Sequence, residues 1–422
     1  MQAKQKFNIL VGQSGGPTAV INASLYGVIQ EGLAHPERIG TVYGMINGIE
    51  GLLEGDFINL TERARTQPLQ YLRTTPASYL GSCRYRLPED LGDPLYPRLF
   101  GKLRELGIGA FFYIGGNDSM DTVAKLGAYA QKAGSGVRFL GVPKTIDNDL
   151  VETDHTPGYG STAKYVAATV HDITMDASVY KNPAITIVEL MGRHAGWVTA
   201  ASALARTAYN PNPLLIYLPE SDFDVDGFFA DLEGALQSAK SVVVCVSEGI
   251  SDRSGKFICE YGAQAKLDGF GHKMLTGCGK VLEQLVRERF GCKCRSIELN
   301  LPQRCTAVLA SLTDIEEADQ AGRFAVRRAL EGASGKMVAF GRENAGGYRV
   351  SYRLADVAKV CNREKKFPAQ WITRHGTDVS PAFLDYVLPL IQGESAVPFR
   401  NGMPFYLQPA HLQFGDGPCA HT

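Results

Sequence analysis

Apolar runs that stop at a glycine or a charged residue, alternating with segments of helical period, constrain this chain more than any other feature. The clearest runs are Phe7 to Val11, Ala110 to Ile114, Arg138 to Val142, Ile185 to Leu190, Leu214 to Leu218 and Ser241 to Val246. Buried helix fragments can look similar, but β-branched enrichment and glycine boundaries favour strands. Strands alternating with helices predict an α/β protein with a largely parallel sheet. In such sheets ligands bind outside the carboxyl ends of the strands, so the run endings are where chemistry is sought. At 422 residues the chain exceeds the size at which one core stops growing, and two packed domains are expected. A helix from Ser161 to Tyr180, opening with serine and threonine caps and carrying Val166, Val170 and Ile173 on one stripe, could join them. After about Lys365 the sequence turns richer in proline and aromatics, around Trp371, Pro381, Pro389 and Pro404. Helix-like apolar spacing from Phe383 to Ile391 marks this region as a packed C-terminal extension rather than a linker.

A formal net charge of -1 argues against a partner held by bulk electrostatics, whether nucleic acid or an anionic membrane. Any anion site must then be built locally. The nine cysteines are an odd, scattered set that fits a reduced cytoplasmic protein better than a disulfide framework. Cys292 and Cys294, with Cys278 and Cys305 nearby, fit no common zinc spacing and read as buried thiols. The opening MQAKQKFNILVGQSGG meets glycines too soon for the apolar core of a signal peptide, and no run of about 18 apolar residues follows. A soluble, cytoplasmic protein is expected.

The segment Gly141 to Asp149, GVPKTIDND, places a lysine, a threonine and two carboxylates directly after an apolar run. If it stays extended, Asp147 and Asp149 project to the same side, one to take a proton and the other to hold a metal. Lys144 supplies the positive charge that a phosphate-bearing donor requires. Two further endings are rich in glycine. GQSGGP, Gly12 to Pro17, lets the amides around Gly15 and Gly16 approach a phosphate at a helix start. It is neither a Walker A loop nor a GxGxxG fingerprint, and a tight turn with no ligand is the alternative. GGNDS, Gly115 to Ser119, exposes the Gly116 amide beside the oxygens of Asn117, Asp118 and Ser119. Carboxylates at an anion-accepting helix start make sense if a divalent cation bridges them to phosphate, and a plain helix cap is the alternative. Met191, Gly192 and Arg193 end another run, where the arginine can fork onto a sugar phosphate or simply make a surface ion pair. Glu248 supplies a carboxylate for sugar hydroxyls, and Arg304 and Arg84 supply further phosphate cations.

Taken in order, GGNDS, PKTIDND, MGR, SEG and Arg304 resemble the phosphofructokinase family over nearly the whole chain. The resemblance implies two Rossmann-like domains with the active site in the cleft. The donor domain would take residues 1–160 with about 303–360, and the sugar-phosphate domain 161–302 with about 361–422. It implies Mg2+-dependent phosphoryl transfer to the 1-hydroxyl of fructose 6-phosphate. Asp147 falls on the family's base, and Asp149 and Asn117 on the magnesium region. Thr145, Ile146, Met191, Gly192, Arg193, Glu248 and Arg304 fall on sugar-phosphate positions. Arg295 resembles the arginine that reaches a neighbouring subunit's site, which implies a homodimer or homotetramer. ATP-dependent members carry glycines where this chain has Asp118 and Lys144. An aspartate there fills the space of the nucleotide's α-phosphate and repels it, while a lysine pairs with the phosphate that remains, so the resemblance points to the diphosphate-dependent branch. Three departures bear on the site: Asn117 stands where most members have aspartate, Ala184 replaces a neighbouring-subunit arginine, and Leu301 replaces a tyrosine or histidine. An ATP-dependent enzyme that tolerates Asp118, and a non-catalytic regulatory subunit, stand as the alternative readings. A sedoheptulose phosphate acceptor is also compatible with the sequence.

Overall fold

The computed structural model describes residues 6–179, 181–261, 277–410 and 412. Two sheets carry the fold. The larger has seven strands: β1 (Phe7–Gln13), β2 (Ile39–Met45), β3 (Phe57–Asn59), β4 (Ile108–Gly115), β5 (Arg138–Pro143), β10 (Lys336–Glu343) and β11 (Arg349–Asp356), in the order β11-β10-β5-β4-β1-β2-β3. The smaller has four: β6 (Ala184–Leu190), β7 (Leu215–Tyr217), β8 (Ser241–Ser247) and β9 (Lys293–Glu298), in the order β7-β8-β6-β9. All pairs in the smaller sheet are parallel, and in the larger only the edge pairs β2–β3 and β10–β11 are antiparallel. The α/β expectation holds. The chain completes the first sheet only after it has built the second.

Helices cover both faces of these sheets, so the central strands are buried on both sides and read as continuous apolar runs. In β4, Ala110, Phe112 and Ile114 enter one core while Phe111 and Tyr113 enter the other. The same alternation divides β8, where Val243 and Cys245 face one core and Val242, Val244 and Val246 the opposite one. A one-residue slip would exchange these sets wholesale, so the register is firmly fixed. It pairs Gln13 with Ile114 and Gly115 with Pro143. The carboxyl ends of β1, β4 and β5 are thereby placed side by side, and in the smaller sheet those of β8, β6 and β9.

The helix expected at Ser161 to Tyr180 runs Tyr159–Ala177, and Tyr180 lies outside the described residues. Its serine and threonine do not cap it. Ser161 and Thr162 lie inside the helix, and Asp314 caps it from outside, accepting the Gly158 N–H at 2.9 Å and the Ser161 N–H at 2.8 Å. The C-terminal stretch is packed, with a helix at Pro381–Val387 and a 3-10 turn at Leu388–Ile391. Among the described residues eight cysteines are unpaired, Cys278 and Cys294 are buried, and no group of three or more His, Cys, Asp or Glu is placed to hold a metal. No helix among them is long and apolar enough to cross a membrane.

Candidate active site

Because β1, β4 and β5 are neighbours, the loops that follow them form one floor. Gly15 adopts φ +76, a conformation that glycine reaches without a steric penalty. Its N–H bonds the Cys83 carbonyl at 3.3 Å, and its own carbonyl accepts the Ser82 hydroxyl at 2.6 Å. The stretch that carries the exposed Arg84 is thus tied to the Gly15–Gly16 turn. Lys144 is buried, and its Nζ donates to the Gly16 carbonyl at 2.7 Å. A Cβ placed on Gly16 would sit 3.2 Å from Nη1 of Arg304, so a second cation reaches the same turn. Burial pulls the Lys144 ammonium down to about 8 against the support of Asp147 and Asp149, with Arg304 and Arg84 adding to the depression.

After β4 the helix Asn117–Lys132 begins at Gly116 with no side-chain cap, so Asp118 does not serve as the N-cap and stands exposed in the first turn. Ser119 is buried against Gly115, where an added Cβ would overlap its hydroxyl. Asn117 spends both ends of its amide on main chain: Oδ1 accepts the Asn362 N–H and Nδ2 donates to the Arg363 carbonyl, each at 2.5 Å.

The segment after β5 is not extended. Asn148 takes φ +53, so Asp147 and Asp149 are brought near each other by a turn rather than by strand alternation. The Thr145 hydroxyl donates to Oδ2 of Asp147 and accepts the Asp147 N–H, both at 3.1 Å, which fixes the carboxylate's orientation. Ile146 packs beneath, buried. Burial raises the Asp147 carboxyl despite the Thr145 bond and the pull of Lys144, Arg193 and Arg304. Asp149 rises to about 7, chiefly through burial and then through the charges of Asp147 and Glu364.

The smaller sheet supplies the facing wall. A Cβ on Gly249 would come within 1.9 Å of the Arg193 carbonyl, so glycine there lets the loops after β6 and β8 touch. Glu248 accepts the Gly192 N–H at 3.3 Å, and burial raises its carboxyl to about 7. The Met191 N–H donates to Oε1 of Gln303 at 3.3 Å. A hollow of about 40 Å³ is lined by Glu189, Met191, Glu248, Asn300 and Gln303. Gln303 is buried with its Nε2 unpartnered, a donor that sequence reasoning missed although it sits beside Arg304. Leu301 is half exposed.

Arg295 stands apart from this cluster. It pairs with Thr186, three residues before the Glu189–Glu298 pair near the strand ends, and so lies about 10 Å below those ends. There it meets Asp176 at 3.8 Å across a cavity of about 280 Å³ that Asp172 and Ile297 also line.

The floor combines amide-rich turns, cations and paired carboxylates, which suits an anionic donor. The wall offers a carboxylate and an amide donor, which suits a hydroxylated acceptor. Two adjacent half-buried carboxyls, both raised above the usual carboxylate range, form a hard-oxygen donor set that a divalent cation would relieve. With no larger acidic group among the described residues, such an ion would complete its shell with ligand oxygens and water, as Mg2+ commonly does.

A family model described as phosphofructokinase matches residues 8–315. The chain is 40% identical over 403 residues to the pyrophosphate–fructose 6-phosphate 1-phosphotransferase of Methylococcus capsulatus, covering 95% of each. The enzyme of the same name from Halomonas elongata is 39% identical over 400 residues, with 94% of each chain covered. Among solved structures, the pyrophosphate-dependent phosphofructokinase of Nitrosospira multiformis superposes with a TM-score of 0.88 at 33% identity, covering 98% of this chain and 99% of that one.

Proposed function

The chain belongs to the phosphofructokinase family, and from that premise we propose that it transfers a phosphoryl group reversibly from diphosphate to the 1-hydroxyl of fructose 6-phosphate. Asp147 takes the hydroxyl proton as the C1 oxygen attacks phosphorus. The bridging P–O bond breaks, and inorganic phosphate leaves with the electron pair. The Gly15–Gly16 turn, Arg84, Gly116 and Ser119 hold the donor, with Lys144 as the fixed charge against it. Asn117 acts there by anchoring the loop, since its amide is committed to main chain. Met191, Gly192, Arg193 and Glu248 hold the sugar, with Thr145, Ile146 and Arg304 at the junction of the two substrates. Mg2+, held by Asp149 with donor oxygens, would neutralise charge on the transferring group. The donor unit is the one built on the seven-stranded sheet and the acceptor unit the one on the four-stranded sheet. Arg295 is assigned to a neighbouring subunit's site, which makes the working form a homo-oligomer.

One observation carries the choice of donor: the buried Lys144 ammonium sits against the phosphate turn, 2.7 Å from the Gly16 carbonyl, and its side chain takes up space beside that turn. A nucleotide's α-phosphate would need that space and would also meet the Asp118 charge. The test is a steady-state grid of diphosphate and ATP against fructose 6-phosphate and sedoheptulose 7-phosphate. Diphosphate with fructose 6-phosphate is expected to exceed ATP by at least about 100-fold in kcat/KM, a difference of roughly 3 kcal/mol. Comparable turnover with ATP would refute the donor assignment, and no turnover with either would favour a regulatory subunit.

A further inference from the structure

Asn362, Arg363, Lys365 and Phe367 bond to segments that follow strands of both sheets. Asn362 and Arg363 grip the Asn117 amide at the start of the helix after β4. The Lys365 N–H then donates to the Asp149 carbonyl at 2.6 Å. The Lys365 carbonyl accepts Nε1–H of Trp197 at 3.0 Å, and the Phe367 N–H donates to Glu220 at 2.8 Å. Glu220 in turn holds the Gly196 N–H, three residues past Arg193. A single stretch of chain therefore spans the donor loop, the carboxylate loop and the sugar-phosphate loop.

It also reaches Asn148, which is fully buried, left-handed at φ +53 and placed between the two carboxylates. The Asn148 amide is consumed by C-terminal residues: Nδ2 donates to the Tyr386 hydroxyl at 3.0 Å, and Oδ1 accepts from Nζ of Lys365 at 3.3 Å. That ammonium also donates to the carbonyls of Thr153 and Asp154 at 3.1 and 2.8 Å and lies 5.1 Å from the Trp197 ring. The Tyr386 hydroxyl donates to the same Asp154 carbonyl. If the extension served only to fill a core, an apolar side chain would do so without the cost of desolvating a charge. The ammonium at this point instead sets the path of the backbone from Asn148 to Asp154.

We propose that residues 362–367 form a strap that sets the spacing between the phosphate loop after β4 and the Asp147–Asp149 pair, with Lys365 and Tyr386 as positioning residues acting through Asn148. The proposal rests on the phosphoryl-transfer reading above. Asn148→Gly removes the clamped amide yet permits the same φ. Lys365→Met and Tyr386→Phe remove the two partners separately.

For Lys365→Met, kcat with diphosphate and fructose 6-phosphate is expected to fall about 10- to 100-fold, the scale of an ångström's misplacement. Both KM values should stay within about threefold, because the residue touches neither substrate. Asn148→Gly should behave alike. Adding Lys365→Met to Asn148→Gly should cost clearly less than Lys365→Met costs alone, since the two share the contact at Asn148 while the ammonium also holds the Thr153 and Asp154 carbonyls. Tyr386→Phe, which deletes one hydroxyl, should lower kcat about 3- to 10-fold and be equally non-additive with Asn148→Gly, and it keeps the test open if Lys365→Met does not fold. Additive losses, a rise in KM alone, or a kcat within twofold of wild type would overturn the strap. Wild-type turnover with diphosphate is measured alongside. Its absence would overturn the reaction, whereas an active wild type with unaffected variants overturns the strap alone.

Discussion

Replacing Lys144 by methionine keeps the length and apolar stem of the side chain and removes its charge. Nζ is buried and anchored on the Gly16 carbonyl, so a donor phosphate resting on that turn would lie within hydrogen-bond range of it. Two unit charges about 3 Å apart at an effective dielectric of ~20 attract by roughly 5 kcal/mol, an upper bound before desolvation. Truncating one partner of a buried charged pair costs about 2–5 kcal/mol in practice. Taking about 3–4 kcal/mol, kcat/KM for diphosphate should fall by roughly 10²- to 10³-fold. The KM for fructose 6-phosphate should move less than about threefold, because Met191, Gly192, Arg193 and Glu248, which hold most of the sugar, stand on the other sheet. The melting temperature should change by only a few degrees, since one hydrogen bond to Gly16, worth about 1 kcal/mol, is exchanged for relief of a buried charge. The pH profile gives an independent check. With its ammonium pulled down to about 8, Lys144 is cationic below that pH and neutral above it. In wild type, kcat/KM for diphosphate should therefore decline as the pH rises through about 8, and in Lys144→Met that alkaline limb should vanish. A folded variant with less than a tenfold loss, or one whose loss appears in the fructose 6-phosphate KM, would refute the reasoning.

Asp118→Gly removes an exposed charge from the start of the helix after β4 and should raise kcat/KM for ATP at least about tenfold while lowering that for diphosphate; unchanged ATP kinetics would remove Asp118 from donor choice. His155 is buried between Asp154 at 2.8 Å and Glu317 at 2.6 Å, and these carboxylates raise its imidazole to about 9 against the opposing effect of burial. Its folded value lies above the unfolded one of about 6.5, so its stabilising contribution is complete below pH 6.5 and is lost as the pH rises through 9. The stability gap between wild type and His155→Gln, read from urea unfolding, should shrink by roughly 2–3 kcal/mol between pH 6 and 9.5, and a constant gap would show that folding leaves the imidazole's pKa unshifted. If Arg295 completes a neighbouring site, Arg295→Ala and Asp147→Asn are each inactive alone but restore about a quarter of wild-type activity once their subunits exchange, since each site draws the two residues from different chains. No recovery after proven exchange would return Arg295 to its own subunit's ion pair with Asp176.

Strands buried on both faces were plain in the sequence, because β4, β5 and β8 carry nearly continuous apolar runs and β6 is interrupted only by Thr186 and Glu189. Two of those missed lie at sheet edges and have an exposed side or polar residues along them. β11, RVSYRLAD, is an edge strand with a largely solvated pattern, and β9, KCRSIE, alternates polar residues at the other sheet's edge. The loops after β1, β4 and β5 could be named one by one, yet their convergence depends on a strand order that local pattern does not encode. Lys144 and Asp147 were legible because charged residues directly after an apolar run are conspicuous. Asn148 was not, because an asparagine between two aspartates announces neither its left-handed backbone nor partners more than 200 positions away. Gln303 stayed hidden for a related reason: only its neighbours make its amide a buried donor with nothing to bind.

The charge balance of the cleft explains why such a site can sit in a chain of nearly zero net charge. Lys144, Arg84, Arg193 and Arg304 stand against Asp118, Asp147, Asp149 and Glu248. Burial weakens both sets, holding Lys144 near 8 and Asp149 and Glu248 near 7, so near neutrality the cleft's own side chains include several partly ionised groups. A phosphate monoester brings about −1.5 to −2 units of charge. Two phosphate-bearing substrates arriving together would push Lys144 towards its cationic form and the carboxyls towards their neutral ones. The first shift helps the donor bind, but the second works against Asp147, which must be ionised to accept a proton. The cleft's arginines and Lys144 face the phosphates, and the one further cation beside Asp149, Lys365, is held on the Thr153 and Asp154 carbonyls and leaves Asp149 raised to about 7, so additional positive charge there would come with the substrates. A donor delivered as its magnesium complex meets that need. On this account the pairing of Asp149 with Asp147 ties the readiness of the base to the arrival of the donor.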